Sequence, residues 1–152
     1  MRRLMLFSAL AVLIAAPATF ATRDDDNRYG IGLQWVDPVA YGPSFTMDLF
    51  DLPMSIQGVL GLNDFPAPVA RVRYVFAGRR YLDGYAYGAI GAYDDDGRHD
   101  EDDGLRLFAG VGAGVEWDWR DADESLPPIS WSLELGLNDT DLSFGFGVHY
   151  TF

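Results

Sequence analysis

The chain has 152 residues, with 23 acidic against 11 basic side chains, a net charge of −12 and no cysteine. That length suits one domain, and the absence of cysteine rules out disulfide staples and a cysteine-borne lipid anchor. The acidity argues against a nucleic-acid partner, because phosphate binding calls for basic patches.

Residues 1–21 read as an address rather than as structure. Arg2 and Arg3 precede an apolar run over 4–16 that only Ser8 interrupts, and Pro17 and small residues follow. Ala18 and Ala21 both close plausible cleavage sites. A membrane-spanning helix needs about 20 apolar residues, so the shorter run predicts a secretory signal peptide. Residues 22–28 (TRDDDNR) form a short polar segment.

From residue 29 onward the hydrophobic period is two rather than 3.6, the mark of strands. Eight runs follow in order: 29–36, 42–49, 53–62, 68–76, 81–93, 104–119, 129–137 and 141–152. The segments between them are rich in Asp, Asn, Gly and Pro, as turns are. Pro53 and Pro68 open strands, where a missing N–H is tolerated. The last run alternates most clearly. Phe144, Phe146, Val148, Tyr150 and Phe152 share one face, and Ser143, Gly145, Gly147, His149 and Thr151 share the other. The seventh run sets Trp131, Leu133, Leu135 and Leu137 against Ser132, Glu134 and Gly136. In the sixth, Leu105, Leu107, Ala109, Val111, Val115, Trp117 and Trp119 oppose Arg106, Gly110, Gly112, Gly114, Glu116 and Asp118. The fourth sets Val72, Tyr74 and Phe76 against Arg71 and Arg73, and the second sets Phe45, Met47 and Leu49 against Ser44, Thr46 and Asp48. The third and fifth alternate less cleanly.

Alternation of this kind also fits a soluble barrel with its apolar face inward. Two features favour the reverse. The polar faces carry many glycines, which a narrow packed lumen needs. The apolar faces end in Tyr29, Trp35, Tyr74, Phe76, Trp117, Trp119, Trp131 and Phe152, rings suited to lipid–water interfaces.

The ending FGFGVHYTF closes on Phe152 with Phe144, Phe146, Val148 and Tyr150 at alternate positions before it. It resembles the carboxy-terminal signal by which the outer-membrane assembly machinery recognises its clients. With YGIGL and RLFAGVGAGVEW, the chain resembles small eight-stranded bacterial outer-membrane β-barrel proteins, an uncharacterised envelope barrel family. The resemblance implies a Gram-negative outer membrane, contact with its lipids and lipopolysaccharide, a monomer, and termini on the periplasmic side. The connections 37–41, 63–67, 94–103 and 138–140 would then be external. Those at 50–52, 77–80 and 120–128 would be periplasmic, the last being long for that side.

With the aromatics facing outward, Gln34, Asp48, Gln57, Arg71, Arg73, Arg106, Glu116, Glu134 and His149 face inward. The interior of an eight-stranded barrel is just wide enough for side chains to fill it. Charges there must pair, which predicts a structural plug of Arg–carboxylate pairs. A thin ion path through the same groups is the alternative. The tract 94–104 (DDDGRHDEDDG) reads as a solvated loop. Neither of its glycines aligns with an EF-hand loop, which puts Ala92 or His99 where the first Asp belongs, so no metal site is expected.

Catalysis by a lipid A-modifying barrel would require a nucleophile beside a base. His99 lies in the acidic tract and His149 near the carboxy-terminal rim. Neither Ser132 nor Ser143 has an evident base, so no catalytic pair and no enzyme is expected. GVGAG at 110–114 lies inside a strand, out of context for a dinucleotide loop, and no cofactor is expected. The predicted fold is therefore all-β: a closed, up-and-down, antiparallel, eight-stranded transmembrane barrel over 29–152 behind a signal peptide. The expected role is structural or surface-interacting. A narrow channel is the runner-up, followed by a lipid A-modifying enzyme and a soluble barrel that binds a hydrophobic ligand.

Overall fold

A computed structural model describes residues 29–37, 40–49, 52–62, 67–79, 82–94, 105–139 and 141–152. The predicted signal peptide, the polar segment 22–28 and the acidic tract from residue 95 to residue 104 lie outside the described residues. The strands are β1 (Tyr29–Asp37), β2 (Ala40–Asp48), β3 (Met54–Gly61), β4 (Ala67–Arg79), β5 (Leu82–Asp94), β6 (Leu105–Asp118), β7 (Ile129–Asn138) and β8 (Asp141–Thr151). Each pairs antiparallel with its neighbour in sequence, and β1 also pairs with β8, so the sheet is a closed up-and-down barrel. The closing seam runs from Gly30↔Thr151 to Asp37↔Phe144. It is finished at one end by Tyr29 N–H donating to Phe152 O at 3.0 Å and Phe152 N–H donating to Tyr29 O at 2.8 Å. Closure leaves no sheet edge along the wall and satisfies the backbone within the fold. We call the end that carries Tyr29 and Phe152 the near end, and the opposite end the far end.

Most strand ends fall within one residue of the sequence pattern, and the informative differences lie in β4, β2 and the end of β6. β4 runs three residues further than expected, to Arg79. Its register against β5 shifts between Val75 and Ala77, and a bulge of this kind inserts one unpaired residue and bends the strand. β2 starts earlier than expected, at Ala40. β6 stops at Asp118, so Trp119 is not on a strand face. It opens a helical turn, α1 (Trp119–Ala122), because the Asp118 carboxylate accepts the Arg120 N–H at 2.8 Å and caps it. The rest of this connection is held by Asp123, whose carboxylate accepts the Ser125 N–H and hydroxyl at 2.9 and 2.7 Å. Those two bonds hold it below the usual carboxylate range, the backbone bond first.

The two faces of the wall are inverted relative to a barrel that lives in water. Leu107 is 80% exposed, Ile90 67% and Leu33 66%, and Leu133, Leu135, Phe144 and Tyr150 also point outward. Inside, Arg71, Gln34, Gln57, Ser132 and His149 are fully buried. Tyr29, Trp117, Tyr150 and Phe152 crowd the outer surface at the near end, and Trp35 and Tyr41 face each other across β1 and β2 toward the far end. The arrangement in which the apolar face points inward is therefore not the one this chain adopts.

Candidate functional site

The inward positions define the site, and register orders them along the barrel axis. On β4 they run from Ala67 and Val69 at the far end to Arg71, Arg73 and Val75 toward the near end. Arg71 lies opposite Gln57 on β3, and Arg73 opposite Ser55. On β7 the inward series is Ser130, Ser132, Glu134 and Asn138, and on β8 it includes Ser143 and His149. Each charged group of the lumen is thus delivered by a different position of the same period-two pattern.

Two ion pairs cross this space. Arg71 holds Glu134 in a two-pronged contact: its Nη2 donates to Oε2 at 2.5 Å and its Nη1 to Oε1 at 3.1 Å. Arg73 donates through Nη2 to Glu116 Oε2. Two-pronged guanidinium–carboxylate geometry adds direction as well as energy. Neutral groups then complete the set. The Tyr85 hydroxyl donates to Glu134 Oε1 at 2.6 Å, and Gln34 Nε2 donates to Oε2 at 3.4 Å. Gln57 accepts from Arg71 Nη1 at 2.8 Å and donates to Gln34 Oε1 at 3.1 Å. The Arg71 guanidinium lies 4.0 Å from the centre of the Tyr87 ring, and that of Arg73 lies 3.9 Å from the Tyr85 ring. A cation desolvated over an aromatic face is stabilised by the ring quadrupole.

Glycines make room for the two tyrosines. A Cβ on Gly114 would stand 2.7 Å from the Tyr85 ring, and one on Gly112 would stand 2.6 Å from the Tyr87 ring. The glycine tract in β6 is therefore the socket for two side chains of β5.

No protein-family model matches the chain, and no curated protein matches it. Among solved structures, the chain is similar to the N-terminal β-barrel domain of OprF from Pseudomonas aeruginosa. The TM-score is 0.55 and the identity 14%, over 84% of this chain and 98% of that one. A likeness at that identity bears on the fold alone, and it is the same fold.

The structure brings Arg71, Arg73, Glu116, Glu134 and His149 together in the lumen. Asp48 is only half-buried, at the near rim of β2. Arg106 departs from the expectation: it is exposed, because β6 continues beyond the last β7 pairing, at Gly110↔Asn138, before Arg106 is reached. It is not a member of the buried set. Tyr85, Tyr87 and Ser44 belong to the site but were not picked out as members of it by the pattern. The missed signal was the Tyr-Ala-Tyr of β5, which alternates with small residues just as Arg71 and Arg73 alternate with Val72.

A second departure concerns chemistry. A nucleophile type does meet a base: Ser44 Oγ lies 2.6 Å from His149 Nε2, with Gln57 Nε2 at 3.3 Å from the same nitrogen. Both partners are buried, Ser44 at 7% and His149 at 2% exposure, so the contact satisfies two polar groups inside the wall. Of the alternate carboxy-terminal positions, Phe144, Tyr150 and Phe152 are exposed, while Phe146 and Val148 are half-buried. The Phe146 ring packs 5.5 Å from that of Trp131, which in turn lies 5.9 Å from Trp119 of α1. Among the described residues no cluster of His, Asp or Glu is arranged to hold a metal ion.

Proposed function

We propose that the chain is an integral β-barrel protein of a bacterial outer membrane, exported by residues 1–21. Its role is non-enzymatic, structural or surface-interacting, and its lumen is plugged by the Arg71–Glu134 and Arg73–Glu116 pairs. The observation that carries this reading is the inversion of the wall. Large apolar side chains stand on the exposed face while two arginines, two glutamates and a histidine are buried within. In water, an apolar surface around the whole barrel would far exceed the patch of a few hundred Å² that soluble monomers expose. In lipid it is the required face, and a closed barrel is one of two backbone solutions that can cross a membrane. Paired charges fill the interior, so solvent and ions have no open bore. The partners of this reading are outer-membrane lipids, lipopolysaccharide and the outer-membrane assembly machinery, which reads Phe144 to Phe152. The protein acts as a monomer.

The test is electrophoresis of the refolded protein in detergent with and without boiling, joined to alkaline carbonate extraction of membranes from an expressing Gram-negative host. The expected result is a faster-running unboiled band and retention in the membrane pellet. Identical bands with release into the supernatant would sink the membrane reading. Planar-bilayer recordings should show no discrete openings, whereas steady conductance would favour a narrow channel lined by the same groups.

A further inference from the structure

The lumen is not polar throughout. On five strands the inward series changes character toward the far end. β1 passes from Gln34 to Val36, β3 from Gln57 to Val59, β4 from Arg71 to Val69 and Ala67, and β5 from Tyr87 to Ala89, while β6 begins its inward series with Phe108. Val36, Val59, Ala67, Val69, Ala89 and Phe108 are each between 2% and 7% exposed. Register places Val59 opposite Val69, Val69 opposite Gly91, and Gly91 opposite Phe108, while Ala89 borders the network opposite Arg71. The Phe108 ring lies against Gly91, where an added Cβ would stand 2.5 Å from it. Ser44 on β2, opposite Val59, and Asn138 and Ser143 on the β7–β8 wall are the polar members of this level, and Asn138 Nδ2 is buried without a hydrogen-bond partner. The Ser44 hydroxyl is already engaged by His149 Nε2, and these scattered groups offer a passing ion no continuous hydration shell.

We infer that the lumen carries two seals in series: the ion-pair network across its middle and near half, and an apolar constriction across its far half. The constriction is a hydrophobic gate of the kind that excludes ions by dewetting. Breaking the ion pairs therefore does not open a through path, and it exposes the network to solvent from the near end only. This rests on the reading of the chain as a membrane barrel plugged by its charged pairs, and it adds a barrier that the pairs do not supply.

The experiment is planar-bilayer conductance in potassium chloride with four refolded full-length mature proteins. These are the unaltered barrel, Arg71→Ala with Glu134→Ala, Phe108→Ser, and the three substitutions combined. Each is first shown to give a heat-modifiable band. Removing Arg71 and Glu134 together leaves no lone member of that pair behind. If that variant does not fold, Arg71→Gln with Glu134→Gln takes its place. The expected result is silence from the first three and discrete openings from the fourth. Openings in the double variant as large as those of the combined one would overturn the apolar seal while leaving the ion-pair plug standing. A folded combined variant that stays silent even when Arg73→Ala with Glu116→Ala is added would also overturn it, because closure would then lie elsewhere. Openings in the unaltered barrel would overturn both this inference and the plugged lumen.

Discussion

Glu134 is where most of the lumen converges. Arg71, Tyr85 and Gln34 all donate to its carboxylate. Removing one partner of such a pair costs far more than the pair itself contributes, because the other charge is left buried. Glu134→Ala should therefore destabilise the barrel by about 3–5 kcal/mol, read as a fall in the temperature at which the unboiled band converts to the slower one. Exchanging both members, Arg71→Met with Glu134→Leu, should cost little or even stabilise. Equal losses in the two proteins would show that packing volume, not charge, holds this level. Gly114 offers a second test. Gly114→Val would drive two methyls into Tyr85 and should cost about 1–3 kcal/mol of strain, whereas Gly88→Ala points into open space and should leave the same transition unmoved. The arginines and glutamates were legible in sequence because each sits between apolar neighbours on a regular strand. Arg106 misled for the same reason: parity says which face a residue shares, but not whether the wall still surrounds it.

At the scale of the strand, each element must bury one polar face and present one apolar face, and the two are not interchangeable. Leu135 is half-exposed near the middle of β7. Leu135→Arg should cost about 2–4 kcal/mol if that position lies at the bilayer midplane, measured by denaturant titration in lipid vesicles. Leu126→Arg, on the exposed connection after α1, should have no effect on the same titration. A barrel standing in water would tolerate both. β7 and β8 were fully legible because large apolar residues faced small or polar ones without exception. β5 was not, because its large side chains, Tyr85 and Tyr87, point inward while Ala86 and Gly88 point out. Phe108 hid the apolar far half of the lumen in the same way. The bulge in β4 left no mark on the period, and the helical turn after β6 was marked only by its cap, Asp118, which alternation reads as one more inward strand residue.

For the molecule as a whole, the decisive step is the pairing of β8 with β1. Eight strands without that seam are a sheet with two open edges, and an open edge in lipid leaves unpaired N–H and C=O groups at several kcal/mol each. A chain that ends after Asn138, lacking β8, should give no heat-modifiable band and should be lost to carbonate extraction. A folded band from that chain would mean that β7 can close on β1 without β8. The period-two pattern predicted closure only through the number and spacing of its runs. The register that makes the ring meet itself belongs to no single segment.

Because Tyr29 and Phe152 exchange two backbone hydrogen bonds, the first and last strands already meet as though a turn joined them. The barrel can accordingly be treated as a ring of seven printed hairpins and one unwritten one. A short linker between residues 152 and 29, with new ends cut in the connection between β2 and β3, would give a rearranged chain whose ends emerge on the same side as before. In the membrane reading proposed above, any domain fused to either chain end would then be displayed in one compartment, whichever terminus carried it.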